Sequence, residues 1–281
     1  MGELKGKVGI VTGGSGGIGF GIARKLVHEG AQLVIADIDE ERGQASAKEL
    51  GNGTVFRKVD VADQQQVRDV VDYVVDTFGA LNIMVNNAGI GGKRNPRLFD
   101  EDFGDFHLVL GIDLLGVMAG TREAARAMAK AGKGGSIVNI SSVGAMTAGP
   151  GNWAYTVAKA GVIHFTKASA IDLGEYQIRV NAISPGNIET GILEENMAKG
   201  VPPARVAGYM KKVRSFIQSR QPLKMQGHVD DIAEAALFFL SERSKYITGT
   251  TIPVDGGLVA GSPPSNSSVL QDLKREAIAA G

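Results

Sequence analysis

Between Ser142 and Lys159 the chain reads SVGAMTAGPGNWAYTVAK, which puts a hydroxyl, a phenol and an ammonium into one short passage. If the residues from Trp153 onward are helical, Tyr155 and Lys159 stand at i and i+4 and share a face one turn apart. An ammonium beside a phenol stabilises the phenolate, so such a pair can take and return a proton near neutral pH. Ser142 offers a hydroxyl able to hydrogen-bond the same substrate oxygen. By itself Tyr-x-x-x-Lys recurs by chance, and its weight has to come from the elements that position it.

Composition narrows what those elements serve. With 281 residues and 43% apolar content, the chain can bury a full core, and one α/β domain of this size is the expectation. Thirty basic and thirty acidic residues give zero formal charge, without the basic cluster of a nucleic-acid binder, so the expected partner is a small molecule. No cysteine is present, which removes disulfides, thiolate catalysis and cysteine metal sites. The four histidines, His28, His107, His164 and His228, lack metal-ligand spacing, so no metal is assigned. MGELKGK lacks an apolar signal core, Gly6 stands where a myristoylation motif needs Ser or Thr, and no apolar run approaches ~18 residues. A cytoplasmic protein without a membrane span is therefore expected.

Val8 to Val11 is a short apolar run that stops at Thr12-Gly13-Gly14-Ser15-Gly16-Gly17-Ile18-Gly19, after which Ile18, Ile22, Leu26 and Val27 repeat at helical spacing. A glycine turn opening a helix lets backbone approach a diphosphate and aims free amides at it. The run Ala31 to Ala36 ends in Asp37, 24 residues after Gly13, where a dinucleotide fold holds the adenosine ribose hydroxyls. A carboxylate there repels a 2'-phosphate, and no basic residue occurs in the glycine turn, which favours NAD over NADP.

A polar helix over Glu40 to Leu50 leads to a strand over Thr54 to Val59, closing on Asp60-Val61. Val67, Val70, Val71, Val74 and Phe78 then trace one helical stripe, and the strand Leu81 to Val85 closes on Asn86-Asn87-Ala88-Gly89. A long helical stretch, Asp105 to Ala129, precedes a strand over Ser136 to Ile140 that delivers Ser141 and Ser142. The helix from Trp153 to about Leu173 leads to a strand over Arg179 to Ser184, which ends in Pro185-Gly186-Asn187-Ile188-Glu189-Thr190. A helix over Val229 to Leu240 and a strand over Tyr246 to Val254 complete the pattern. Strands alternating with amphipathic helices predict a doubly wound parallel sheet of about seven strands with helices on both faces. Ligands of such sheets bind at the carboxyl ends of the strands, where Gly13, Asp37, Asp60, Asn87, Ser142 and Gly186 all fall.

Together, TGGSGGIG, the Asp37 strand end, Asp60-Val61, NNAG, a serine 13 residues before YxxxK, and PGNIET resemble the short-chain dehydrogenase/reductase family, in order from about Lys5 to Gly257. The resemblance implies a Rossmann-like fold, with Tyr155 the general base for alcohol oxidation. Lys159 favours its phenolate and holds the nicotinamide ribose, and Ser142 fixes the reacting oxygen. It also implies an NAD site in which Gly13, Ser15, Gly17, Ile18 and Gly19 form the phosphate turn, and Asp37 and Ile38 flank the ribose. Asp60 and Val61 contact adenine, Asn87, Ala88, Gly89, Pro185 and Gly186 line the cofactor, and Ile188 and Thr190 hold the carboxamide. One position departs from the family: its N-L-x-G-V motif, whose asparagine completes a proton relay to the lysine, appears as Asp113-Leu114-Leu115-Gly116-Val117. An aspartate can hold the relay, but its charge offsets part of the lysine's effect on Tyr155.

Residues 1–257 are expected to form a single dinucleotide-binding and catalytic domain. Within it, 191–226 resemble the family's substrate lid, carrying Met197, Tyr209, Met210 and Phe216 beside Lys211, Lys212, Arg214 and Arg220. With Met146 and Trp153, the apolar members suggest a hydrophobic or cyclic substrate, although Met and aromatics at helical spacing more often serve plain packing. Residues 258–281 read as a tail: a Ser/Pro linker, then a capping box at Ser268 and a helix with Leu270, Leu273 and Ile278 on one side. A homo-oligomer, tetramer or dimer, follows from the resemblance. The leading function is an NAD-dependent oxidoreductase of a secondary alcohol or its ketone. The alternatives are an NADPH-type 3-oxoacyl reductase and a non-catalytic NAD-binding scaffold or sensor.

Overall fold

A computed structural model describes residues 2–95, 97–190 and 201–261. Seven strands form one parallel sheet: β1 (Val8–Thr12), β2 (Gln32–Asp37), β3 (Val55–Lys58), β4 (Ile83–Asn86), β5 (Gly135–Ile140), β6 (Ile178–Pro185) and β7 (Thr251–Val254). Their order is β3-β2-β1-β4-β5-β6-β7. β1 pairs on one side with β2, Ile10 opposite Val34, and on the other with β4, Ile10 opposite Met84. The winding reverses between β1 and β4, which opens a crevice at their carboxyl ends. β1 and β4 are buried at every residue, as strands covered on both faces must be, and so they read as unbroken apolar runs.

Two helical layers cover the sheet. On one face, α1 (Gly17–His28) packs against α8 (Val229–Leu240), and Ile22, Leu26, Leu237 and Phe239 are buried with Val11, Ile35 and Val85. The helices approach closely because Gly21 faces Val229; a Cβ there would stand 2.8 Å from Val229 Cβ. On the other face, α3 (Gln64–Phe78) buries Val67, Val70, Val71 and Val74 against Val34 and Met84. Burying each such aliphatic side chain contributes about 1.5–3 kcal/mol. Asp39 caps α2 (Glu40–Leu50) by accepting the Arg42 amide, and Asp63 caps α3 by accepting the Gln65 and Gln66 amides. Gly79, at φ +75°, ends α3 in the left-handed region that favours glycine.

Two expected elements differ. The stretch Asp105 to Ala129 is not one regular helix: α4 (Phe106–Leu110) runs through a π-helical turn, Gly111–Leu115, into α5 (Gly116–Ala131). The wide turn carries Asp113 inward. The last strand starts at Thr251, not Tyr246; Glu242–Ser244 form a 3-10 turn, Tyr246 is fully exposed, and Gly249 at φ +73° turns the chain into the sheet. Of the lid, α7 (Pro203–Arg220) is helical, while Met197 lies outside the described residues, as does the expected tail helix with Leu270, Leu273 and Ile278. Among the described residues no helix is long and apolar enough to cross a membrane.

Candidate active site

The glycine turn is built by elements on both sides of the crevice. Gly13 sits at φ +61° and Gly17 at φ +51°, and the Gly13 amide donates to the Ala36 carbonyl at 2.8 Å. A Cβ at Gly13 would stand 2.9 Å from the Cα of Ala88, and one at Gly19 would overlap the Gly13 carbonyl. Asn87, at the end of β4, braces this turn: its Nδ2 donates to the carbonyls of Thr12 (3.0 Å) and Gly13 (3.1 Å). The Thr12 hydroxyl in turn accepts the Asn87 and Ala88 amides at 3.0 and 3.2 Å. α1 starts behind Gly16 with no side-chain cap and no acid in its first turn, so its opening amides face the crevice.

At the end of β2, the Asp37 carboxylate accepts the Ser15 amide at 3.1 Å and the Ser15 hydroxyl, and its other oxygen accepts the Asp39 amide at 3.3 Å. Ile38 beside it is 63% exposed. The glycine turn itself carries no base, but α2 brings one to it: the Arg42 guanidinium lies directly on Gly16, so that a Cβ there would overlap Nη2 and Cζ. Further along the rim, the Asp60 carboxylate accepts the Ala62 amide at 2.9 Å, and Val61 is buried under Gly116.

The chemistry-bearing side chains meet at the ends of β4 and β5. Ser142, just past β5, holds its own loop by accepting the Gly144 amide on Oγ at 3.1 Å. Tyr155 and Lys159 lie on α6 (Trp153–Leu173), with Lys159 Nζ 5.7 Å from the Tyr155 ring centroid. Lys159 is 3% exposed and donates to the Ile140 carbonyl at 3.2 Å. Ser141 locks α6 to β5 by donating from Oγ to the Lys159 carbonyl at 2.8 Å. Asp113 is fully buried; its Oδ1 accepts the Ile90 amide at 2.8 Å and its Oδ2 lies 3.3 Å from Lys159 Nζ. Among the described residues Oδ2 has no aligned hydrogen-bond donor, so the lysine acts on it chiefly through charge. Burial pushes the Asp113 carboxyl above the usual carboxylate range, and the attraction of Lys159 offsets that only in part. Gly89 passes alongside the two groups, where a Cβ would stand 3.1 Å from each.

The segment after β6 closes the crevice. The Gly186 amide donates to the Val254 carbonyl at 2.9 Å, Ile188 is buried and bridges to Gly227, and Thr190 faces Gly17 across the opening. The Glu189 carboxylate lies 3.8 Å from Arg214 of α7, so this cation is paired. Met210 of α7 is buried, Phe216 is exposed, and the Trp153 indole donates to the Asn95 carbonyl at 3.2 Å.

A family model described as enoyl-(acyl carrier protein) reductase matches residues 13–259. Zerumbone synthase of Zingiber zerumbet is 38% identical over 259 residues, covering 91% of this chain and 95% of its own. The (+)-borneol dehydrogenase 2 of Salvia officinalis is 36% identical over 261 residues, covering 92% and 91%. Among solved structures, that of levodione reductase superposes with a TM-score of 0.85 at 34% identity, over 92% of this chain and 99% of its own. The chain belongs to the short-chain dehydrogenase/reductase family. It is an oxidoreductase of that family, whose members use NAD or NADP.

The residues present fit such a dinucleotide. The space that a Cβ would fill at Gly13 and Gly19, together with the uncapped start of α1, leaves backbone room and free amides for a diphosphate. Three features of this site carry little local sequence signature. Thr12 and Asn87 form the brace under the turn; the only signal was their place at two strand ends. Arg42 reaches Gly16 by the path of α2, which Ser46 fixes by donating to the Ser15 carbonyl at 2.9 Å. Behind the site, Asn86 donates to Asn139 (2.8 Å) and Thr121 (3.1 Å), and Asn139 to Thr166 (3.0 Å), a buried network tying β4 and β5 to α5 and α6.

Proposed function

We propose that this enzyme transfers hydride between NAD and a hydrophobic or cyclic secondary alcohol or its ketone. The observation that carries the reading is Lys159 Nζ, buried against the Ile140 carbonyl one turn from Tyr155, with Ser142 at the end of the adjoining strand. In alcohol oxidation the Tyr155 oxygen takes the hydroxyl proton, and the Ser142 hydroxyl donates to the substrate oxygen and holds it in place. The Lys159 ammonium stabilises the Tyr155 phenolate that accepts this proton, and burial keeps that interaction unscreened. When bound, the dinucleotide supplies the hydride acceptor. Gly13, Ser15, Gly17, Ile18 and Gly19 would hold its diphosphate, and Asp37 and Ile38 its adenosine ribose. Asp60, Val61, Asn87, Ala88, Gly89, Pro185 and Gly186 would line it, and Ile188 and Thr190 would hold its carboxamide. Asp37 supports NAD, because a carboxylate at the end of β2 repels a 2'-phosphate.

A cyclic substrate is supported by the relatives, which include borneol dehydrogenases of Salvia officinalis and Lavandula x intermedia, named for a bicyclic secondary alcohol. It is also supported by exposed Met146 and half-buried Trp153 and Tyr155, all in the passage that follows β5. We keep with this reading a single catalytic domain over 1–257, a lid over 191–226, a cytoplasmic location and a homo-oligomer. The exposed apolar side chains Leu115, Met118 and Val157 on the outer helices support the last. A 3-oxoacyl reductase using NADPH is the second reading, supported by the acyl carrier protein named in the matched model's description, though that names an enoyl rather than a 3-oxo substrate, and by Lys211 and Lys212 on α7.

Purified enzyme offered cyclic, aromatic, steroidal and acyl-thioester substrates with NAD(H) and NADP(H) separates these. Turnover of a cyclic alcohol with NAD, abolished by Tyr155→Phe, is the expected result. Faster turnover of a 3-oxoacyl thioester with NADPH would replace it, and tight NAD binding without any turnover would point to a scaffold.

A further inference from the structure

We propose that Arg42 is a second determinant of dinucleotide choice, giving the adenosine end of the site a cation that admits a 2'-phosphate despite Asp37. The inference rests on the dinucleotide reading above and qualifies its preference for NAD. Its basis is the placement of one unpaired cation. Arg42 is exposed and, among the described residues, forms no ion pair, although the Asp37 carboxylate lies on the same rim. That carboxylate is instead turned into the glycine turn by the Ser15 amide and hydroxyl and by the Asp39 amide.

The guanidinium lies flat on Gly16, the residue just before α1, in the space that any side chain there would take. Its backbone is fixed at the start of α2, where its amide donates to Asp39 at 3.0 Å, and α2 is tied to the turn through Ser46. The cation is thus held at the mouth of the helix end that receives phosphate, while its long side chain remains free to swing outward. A 2'-phosphate on a ribose held by Asp37 would be repelled by one fixed carboxylate and met by one guanidinium. The two charges act on that phosphate in opposite senses. The expected enzyme binds NADH better than NADPH, but by a modest margin that Arg42 sets, since the guanidinium pairs with phosphate oxygens in a bidentate geometry.

Binding of NADH and NADPH to the full chain, followed by nicotinamide fluorescence or calorimetry, tests this without turnover. Arg42→Ala should weaken NADPH about tenfold or more and NADH by less than about threefold, while Arg42→Lys keeps most NADPH affinity. The fragments 2',5'-ADP and 5'-AMP should show the same contrast. An unchanged ratio of NADPH to NADH affinity in Arg42→Ala would overturn the proposal, as would an equal loss for both, which would put Arg42 on the diphosphate. Failure of the NAD reading looks different: the unsubstituted protein would bind NADPH tighter than NADH, and Asp37→Ala would not shift the balance.

Discussion

Lys159 Nζ and Asp113 Oδ2 lie 3.3 Å apart, and both side chains are buried. The family's asparagine would leave the lysine its whole charge; an ionised aspartate takes part of it away from the Tyr155 oxygen. Because burial pushes the Asp113 carboxyl upward, its ionised fraction grows as pH rises, and so does the offset. Asp113→Asn should therefore move the rising limb of the kcat/KM profile for alcohol oxidation to lower pH. A profile that stays where it was would refute the electrostatic role.

The same carboxyl makes a stability statement. Its folded-state pKa is raised above the ordinary 3.8, chiefly by desolvation, so the native state binds this proton more tightly than the unfolded chain. The stabilisation is complete below the ordinary value and is lost as pH rises through the raised one. In Asp113→Asn that loss cannot occur. The Tm difference, variant minus parent, should grow from about pH 4 toward neutrality, which calorimetry across that range would read. A constant difference would mean that the lysine, not burial, governs the site.

Tyr155→Phe removes one hydroxyl from a half-buried side chain and leaves the ring on its neighbours. Turnover should fall by about a hundred- to ten-thousand-fold, the usual worth of a positioned acid/base. Tm and NADH affinity should hardly change. Steady-state kinetics and a thermal melt on the same preparation check this, and a variant with more than about a tenth of parental kcat would remove Tyr155 from its assigned role.

What the sequence displayed, and what it concealed, follows from range. Strands buried on both faces spell themselves as apolar runs, so β1 and β4 are legible, and the glycine turn is legible because Gly13 and Gly17 stand at positive φ, which favours glycine. The Tyr155 and Lys159 pair was legible because helical spacing is local. The π turn was not, since it widens a helix of ordinary composition without changing its apolar rhythm. β7 was read too long because Tyr246 and Ile247 are strand formers whose segment is instead taken by the turn after α8. Arg42 on Gly16 and the Asn86–Asn139 network depend on how separate elements pack, which no local pattern encodes.

Asn87 offers a way to loosen the turn without filling it. Asn87→Ala deletes the donors to the Thr12 and Gly13 carbonyls but leaves the backbone bonds to Thr12 Oγ1. Two such bonds are worth about 1–3 kcal/mol net. We expect a stability loss in that range, with NADH affinity falling about tenfold. Urea titration and dinucleotide fluorescence would measure both, and unchanged affinity would mean that the turn keeps its shape unaided.

Gly19 is the sharper test of the crevice, because the obstacle there is backbone. A methyl in Gly19→Ala would crowd the Asn87 carboxamide and overlap the Gly13 carbonyl, which as backbone cannot rotate away as a side chain would. Accommodation requires α1 to shift against the β1 end, at a cost of about 1–3 kcal/mol. The shift displaces the amides that face the diphosphate, so dinucleotide binding should be lost while the protein still folds. Gly79→Ala is the control for a glycine in open space: it replaces a residue of left-handed φ with nothing within 4 Å, so it should reduce stability and leave binding intact. If Gly19→Ala bound NADH as the parent does, the glycine turn would not be the phosphate site.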